Sequence, residues 1–142
     1  MEPALRQLAA QPELSQRVRF AGRLSEAEKD RELRRSHLLI HTSLREGWGL
    51  NVLEANAMGT PAVVYPVDGL VDATWHEQTG LVTREETPQS VADAILSLLP
   101  RPDDYQRFRV KACERTASFH WSRVLPPACD WLEQQARRKE KV

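Results

Sequence analysis

Short apolar runs alternate along this chain with longer stretches in which apolar residues return every three or four positions. Val18-Arg19-Phe20-Ala21 alternates apolar and polar residues and stops at Gly22, which predicts a strand. His37 to Thr42 and Ala62 to Val67 are compact apolar runs, the second β-branched and closed by Pro66, and both predict buried strands of the parallel kind. Helical spacing fills the intervals. Ala4 to Leu14 predicts a short helix interrupted by Pro12, and Ser25-Glu26-Ala27-Glu28 has the S-x-x-E form of a capping box opening a charged surface helix to about Arg35. A helix beginning at Leu50 stops at Gly59, with Pro61 behind it. Thr87-Pro88 is an N-cap followed by proline, and Gln89 to Leu99 carries Val91, Ala94, Ile95 and Leu98 on one side before Pro100 and Pro102. Asp103 to Ser118 continues as a helix with Tyr105, Phe108 and Ala112 spaced for packing. Strands alternating with helices predict an α/β domain with a mainly parallel sheet flanked by helices, which binds ligands at the carboxyl ends of its strands.

Composition narrows the picture without naming a chemistry. The 142 residues suit one domain with a real core. Twenty basic and 20 acidic residues cancel, so no overall charge points to nucleic acid or an anionic membrane. No apolar run approaches a membrane span, and Met-Glu-Pro-Ala-Leu-Arg lacks the features of a signal peptide, so a cytoplasmic protein is expected. Cys113 and Cys129 fall in separate helical patterns and read as free thiols. The basic tail Arg137 to Lys141 reads as a solvated, frayed end.

Candidate chemistry concentrates between His41 and Tyr65. Glu46 and Glu54 are separated by seven residues, and Gly47 and Gly49 flank Trp48 just before the helix at Leu50. A loop feeding a helix start presents amides without intrahelical acceptors in a region of partial positive charge, which favours an anionic ligand such as phosphate. Gly47 and Gly49 permit close approach and positive φ. Asn51 and Glu54 share one helix face, and Glu54, set among apolar neighbours, needs a partner that a ribose diol would supply. The same residues also read as a tight strand-to-helix turn with a partly solvated glutamate. A dinucleotide-binding fingerprint would need a third glycine where Val52 stands, and P-loop, nucleophile-elbow and H-E-x-x-H patterns are absent. His37 and His41 read as packing or hydrogen-bonding residues at the ends of their strand, unpaired as metal ligands, and His120 reads as structural.

Taken together, E-G-W-G-L-N-V-L-E-A-N-A-M-G-T-P-A-V-V closely resembles the E-x7-E signature of the group 1 glycosyltransferases of the GT-B fold. Val18 to Gly22 is similar to that family's V-x-F-x-G strand, Asp68 to Asp72 to its G-G-L-x-E loop, Thr79 to Val82 to its T-G-L-L-V strand, and Phe119-His120-Trp121 to the element before its last helix. The resemblance covers nearly all of residues 14–135 and implies a Rossmann-like C-terminal half of a GT-B fold, with residues 1–142 as a nucleotide-sugar-binding domain. It implies that Glu46 is the catalytic carboxylate, orienting the donor sugar or stabilising positive character at its anomeric carbon. Gly47, Trp48, Gly49, Leu50 and Asn51 would hold the diphosphate through their amides, and Glu54 the ribose. Transfer would proceed from a nucleotide diphosphate sugar with retained configuration, without a metal or other cofactor, to an acceptor the chain does not specify, a peripheral membrane acceptor included. Asp68 departs from the pattern, standing where glycine or proline is usual, and must point away from a diphosphate.

The family's donor domain begins with a strand and basic loop that have no counterpart here, and its acceptor domain is also without counterpart. The chain is therefore expected to be an incomplete piece, a truncated product or one subunit of a split transferase, inactive alone. A non-catalytic nucleotide-binding or interaction module is the alternative. A strand left at an open edge, at Val18 to Ala21 or His37 to Thr42, would favour self-association or pairing with a complementary N-terminal half.

Overall fold

The computed structural model describes residues 2–139. The chain opens with α1 (Glu2–Ala9), which buries none of its residues, and Pro12 lies in the turns that follow. Val18 to Ala21, expected as a strand, belongs to no ladder and to no other regular element. Alternation reports which way side chains face, whereas a strand also needs a neighbouring backbone, and no described residue supplies one. Phe20 lies instead beneath the Arg6 guanidinium, 4.6 Å from its ring centre. The expected capping box is present: Ser25 Oγ accepts from the Glu28 amide at 3.4 Å and Glu28 Oε2 accepts from the Ser25 amide at 2.8 Å, opening α2 (Glu26–Arg35).

Three strands follow with their crossovers: β1 (Leu39–His41), α3 (Leu50–Ala57), β2 (Ala62–Val64), α4 (Asp68–Ala73) and β3 (Gly80–Val82). The sheet is parallel with order β1-β2-β3, and Ile40, Val63 and Leu81 stand in one register row. Of the three strands among the described residues, only β2 is buried along its whole length. β1, expected to be buried, is an edge strand among the described residues, with Ile40 43% exposed. The segment from Asp68 to Asp72, expected as a loop, is the start of the short helix α4, with Asp68 in the first turn, where the helix dipole favours a carboxylate.

The remaining helices are α5 (Pro88–Leu98), α6 (Pro102–Ala117) and α7 (Trp121–Lys139). Thr87 caps α5 by accepting from the Ser90 amide at 3.2 Å, with Pro88 in its first turn. Val52, Val63, Val64, Leu70, Leu81, Val91, Leu98 and Phe108 form one core between the sheet and the helices α3 to α6. Arg109 Nε donates to the Gly59 carbonyl at 3.0 Å, tying α6 to the end of α3, where Gly59 takes φ +75°. α7 buries none of its described side chains, and Trp121, Leu125, Trp131 and Leu132 lie more than half exposed. The basic tail is helical through Lys139 rather than frayed; Glu140 and Lys141 lie outside the described residues. No described helix is long and apolar enough to cross a membrane.

The outer edge of β3 is closed from within the chain. The Val82 amide donates to His76 Nδ1 at 3.0 Å, and the Glu77 amide donates to the Gly80 carbonyl at 2.9 Å. Glu77 reaches this position with φ +60°, uncommon for a residue with a side chain, and its carboxylate accepts from Arg101 Nη1 at 3.1 Å. The Arg101 hydrogen bond holds the Glu77 carboxyl below its ordinary value against the opposing effect of burial. A carboxyl with a lowered folded pKa stabilises fully above the unfolded value and loses that contribution as pH falls through the folded one. Replacing Glu77 by Gln should therefore flatten the acid limb of the stability profile below about pH 4, as read from urea unfolding at a series of pH values. An unchanged acid limb would mean that the clamp contributes nothing.

Candidate functional site

The glutamate loop leaves the C-terminal end of β1 and runs from Thr42 to Gly49. Ser43 Oγ donates to the Arg45 carbonyl at 2.9 Å within this loop. Gly49 is the N-cap of α3 in the left-handed region, φ +66° and ψ +46°. The positive φ favours glycine, and a Cβ on Gly49 would stand tightly at 3.1 Å from Ala73 Cβ and 3.2 Å from Leu70 Cδ2. Gly69 in α4 lies still closer: a Cβ there would fall 2.6 Å from the Gly47 carbonyl carbon. The two glycines let α4 form the floor of the loop. Gly47 does not take positive φ as expected, and a Cβ on it would meet no atom within 4 Å, so its outer side is open.

At the start of α3 the Val52 amide donates to the Gly49 carbonyl at 2.9 Å, while the amides of Gly49, Leu50 and Asn51 have no acceptor among the described residues. Leu50 and Asn51 are exposed at the positive end of the helix, whereas Gly49 is buried against α4. Glu46 and Glu54 stand on either side in the sequence. Glu46 Oε1 accepts from the Gly47 amide at 3.1 Å, and its Oε2 is 3.6 Å from His41 Nε2. Glu54 differs from expectation in having a protein partner: Lys29 Nζ of α2 donates to its Oε1 at 3.0 Å and also meets Glu26 at 2.7 Å. These two carboxylates, Glu26 foremost, raise the Lys29 pKa. The Glu54 side chain remains 42% exposed, with Oε2 available to a ligand hydroxyl.

Behind the loop stand its supports, of which Arg115 and Asn56 were not singled out by the sequence pattern. Trp48 meets Phe119 edge-on, ring centres 6.2 Å apart, which connects the loop to the turn between α6 and α7. Arg115 is buried; it donates to the carbonyls of Ala73 and, at 2.6 Å, Asp72, and its guanidinium lies 4.5 Å from the Trp75 ring centre. Burial lowers its pKa. It thereby satisfies carbonyls at the C-terminal end of α4, the helix that supports the glutamate loop. The signal was its position: Phe108, Ala112 and Arg115 share one face of α6, so a cation sits in an apolar register. Asn56, also buried, donates to the Thr60 carbonyl at 3.0 Å and closes the turn into β2. His120 accepts from the Ser122 amide at 3.3 Å, at the start of α7, a structural arrangement.

A cavity of about 450 Å³, lined by neither Glu46 nor Glu54, lies against β3 and α5. Its His76, Glu77 and Arg101 are engaged with one another or with the β3 backbone.

A three-stranded parallel sheet with an open glycine loop and unpaired helix amides at the strand ends defines a Rossmann-like α/β unit. The chain belongs to the group 1 glycosyl transferases, whose family model matches residues 1–115. A D-inositol 3-phosphate glycosyltransferase of Nocardia farcinica is 34% identical over 119 residues, covering 84% of this chain and 26% of that protein. A glycogen synthase of Mycobacterium tuberculosis is 35% identical over 108 residues, 75% of this chain and 26% of its own length. The chain thus spans about a quarter of the length of these curated relatives. Among solved structures, a sucrose-phosphate synthase of Thermosynechococcus elongatus superposes with a TM-score of 0.84 at 24% identity, over 96% of this chain and 34% of that one. HepE of Anabaena in complex with UDP superposes with a TM-score of 0.83 at 21% identity, over 93% and 36%. At these identities the structures establish the fold.

Because α4 presses on the loop through Gly69, Gly69→Ala should destabilise the chain by about 1–3 kcal/mol through overpacking. Gly47→Ala, whose new methyl meets nothing, should stay within about 0.5 kcal/mol of the parent. Chemical unfolding of the two variants measures the contrast, and equal stabilities would remove α4 as the support of the loop.

Proposed function

We propose that the chain is the nucleotide-sugar-binding domain, over residues 1–142, of a cytoplasmic glycosyltransferase that moves a sugar from a nucleotide diphosphate donor to an acceptor with retention. The observation that carries this reading is the set of unpaired Gly49, Leu50 and Asn51 amides set between Glu46 and Glu54. Negative charge grows on the diphosphate as the glycosidic bond breaks, and donors fixed in advance at that position stabilise it without reorganising. Gly47 and Trp48 complete the phosphate-facing loop. Glu54 accepts from the ribose hydroxyls through the oxygen that Lys29 leaves free. Glu46, held by the Gly47 amide, orients the sugar hydroxyls or stabilises positive character at the anomeric carbon. HepE of Anabaena, of like fold, was solved with UDP and with UDP-glucose, which supports a donor of this class.

The Glu54 assignment is open to direct measurement. A hydrogen bond between a carboxylate and a sugar hydroxyl is worth about 1.5–3 kcal/mol, so Glu54→Ala should weaken nucleoside diphosphate binding about tenfold to a hundredfold. Calorimetric titration with UDP, GDP and ADP reads this effect, and identical binding by parent and variant would make the ribose role untenable.

The open edge of β1 and the uncovered apolar residues of α7 support association with another polypeptide, either a second copy or the acceptor-binding part of a transferase. The chain alone is then expected to self-associate on concentration. Light scattering over a dilution series checks this, and a stable monomer at high concentration would exclude it.

A further inference from the structure

His41 occupies a place where chemistry outweighs packing. It ends β1, two residues after Leu39, and the two side chains share one face of the strand, the face on which Leu39 packs against the core. The His41 side chain is 16% exposed. An aliphatic residue would fill that position without a polar atom to satisfy, whereas the imidazole Nδ1 is shut away from solvent with no hydrogen-bond partner. A buried acceptor left unpaired costs free energy, and such a group in a folded protein calls for a reason. The reason lies at the other end of the ring, where Nε2 faces Glu46 Oε2 at 3.6 Å.

We propose that His41 is a positioning residue for Glu46, fixing the carboxylate against the sugar of a bound donor; this rests on the donor-site reading above. With its proton on Nε2 the imidazole donates toward Oε2, while the Gly47 amide donates to Oε1 at 3.1 Å. Each carboxylate oxygen then has one direction fixed by the protein and another left for a sugar hydroxyl. At 3.6 Å the His41 contact is longer than a hydrogen bond, as such contacts commonly are before substrate is bound, and it tightens when the donor engages Glu46. The contact is local to the end of β1. The amides of Leu50 and Asn51 and the Glu54 carboxylate belong to α3 and do not depend on it.

That separation gives His41 a signature that a merely structural role would lack. UDP, GDP and ADP, with UDP-glucose, GDP-mannose and ADP-glucose, are titrated into the parent chain, His41→Leu and His41→Gln, with circular dichroism confirming that each variant is folded. His41→Leu should weaken the sugar-bearing ligand of the bound pair about tenfold, the scale of one charge-assisted hydrogen bond. It should leave the parent diphosphate within about twofold. His41→Gln, whose amide can donate to the same oxygen, should recover most of the lost sugar-dependent affinity. Equal losses for diphosphate and nucleotide sugar, or no loss in either, would overturn the role of His41 while leaving the donor site standing. A parent chain that binds none of the six ligands would remove the donor-site reading and the role of His41 with it.

Discussion

The arrangement depends on one contact between backbones, that of Gly69 in α4 against the Glu46–Gly47 segment. It leaves no room for a side chain, and two residues along the loop Gly49 rests closely on the side chains of Leu70 and Ala73. Through these contacts α4 fixes the height of the glutamate loop above the sheet. The loop in turn sets where α3 begins and where its first amides face. Arg115 holds α4 from behind, and Trp48 against Phe119 holds the loop from the side of α6. The site is therefore built on packed elements at the end of a parallel sheet, although the segment that carries it is a loop.

Electrostatics act on top of this frame. The positive end of α3 lies between two carboxylates, each given a partner that limits its repulsion toward an anionic ligand. Glu54 is paired with Lys29, and Glu46 lies beside its own Gly47 amide and His41. Both glutamates remain partly exposed, so each keeps acceptor capacity for a hydroxyl. The far edge of the sheet has a different character, since His76, Glu77 and Arg101 are committed to closing β3.

Much of the fold was legible because its signals are local. Ser25-x-x-Glu28 and Thr87-Pro88 mark helix starts by groups only three residues apart, and Gly59 marks an end by a backbone conformation that glycine alone adopts cheaply. The Val18 to Ala21 strand failed because alternation says nothing about whether a partner backbone exists. The helix at Asp68 was read as a loop because six residues are too few to declare a period, and its stability comes from packing rather than propensity. Within the site the glutamates, glycines and helix start could be seen in one short stretch. The partners could not: Lys29 lies 25 residues from Glu54, and Arg115 43 residues from the Asp72 carbonyl it holds. Such pairings are products of the tertiary fold.

The central claim is that the amides opening α3 receive the phosphates of a nucleotide. Amide chemical shifts of the isotopically labelled chain, followed during titration with UDP, GDP and ADP, test it most directly. The account predicts that the largest changes fall at Gly49, Leu50 and Asn51, with smaller ones near Glu54 and Lys29. Changes centred on the His76, Glu77 and Arg101 cavity, or none at Gly49 to Asn51 with any of the three nucleotides, would contradict it.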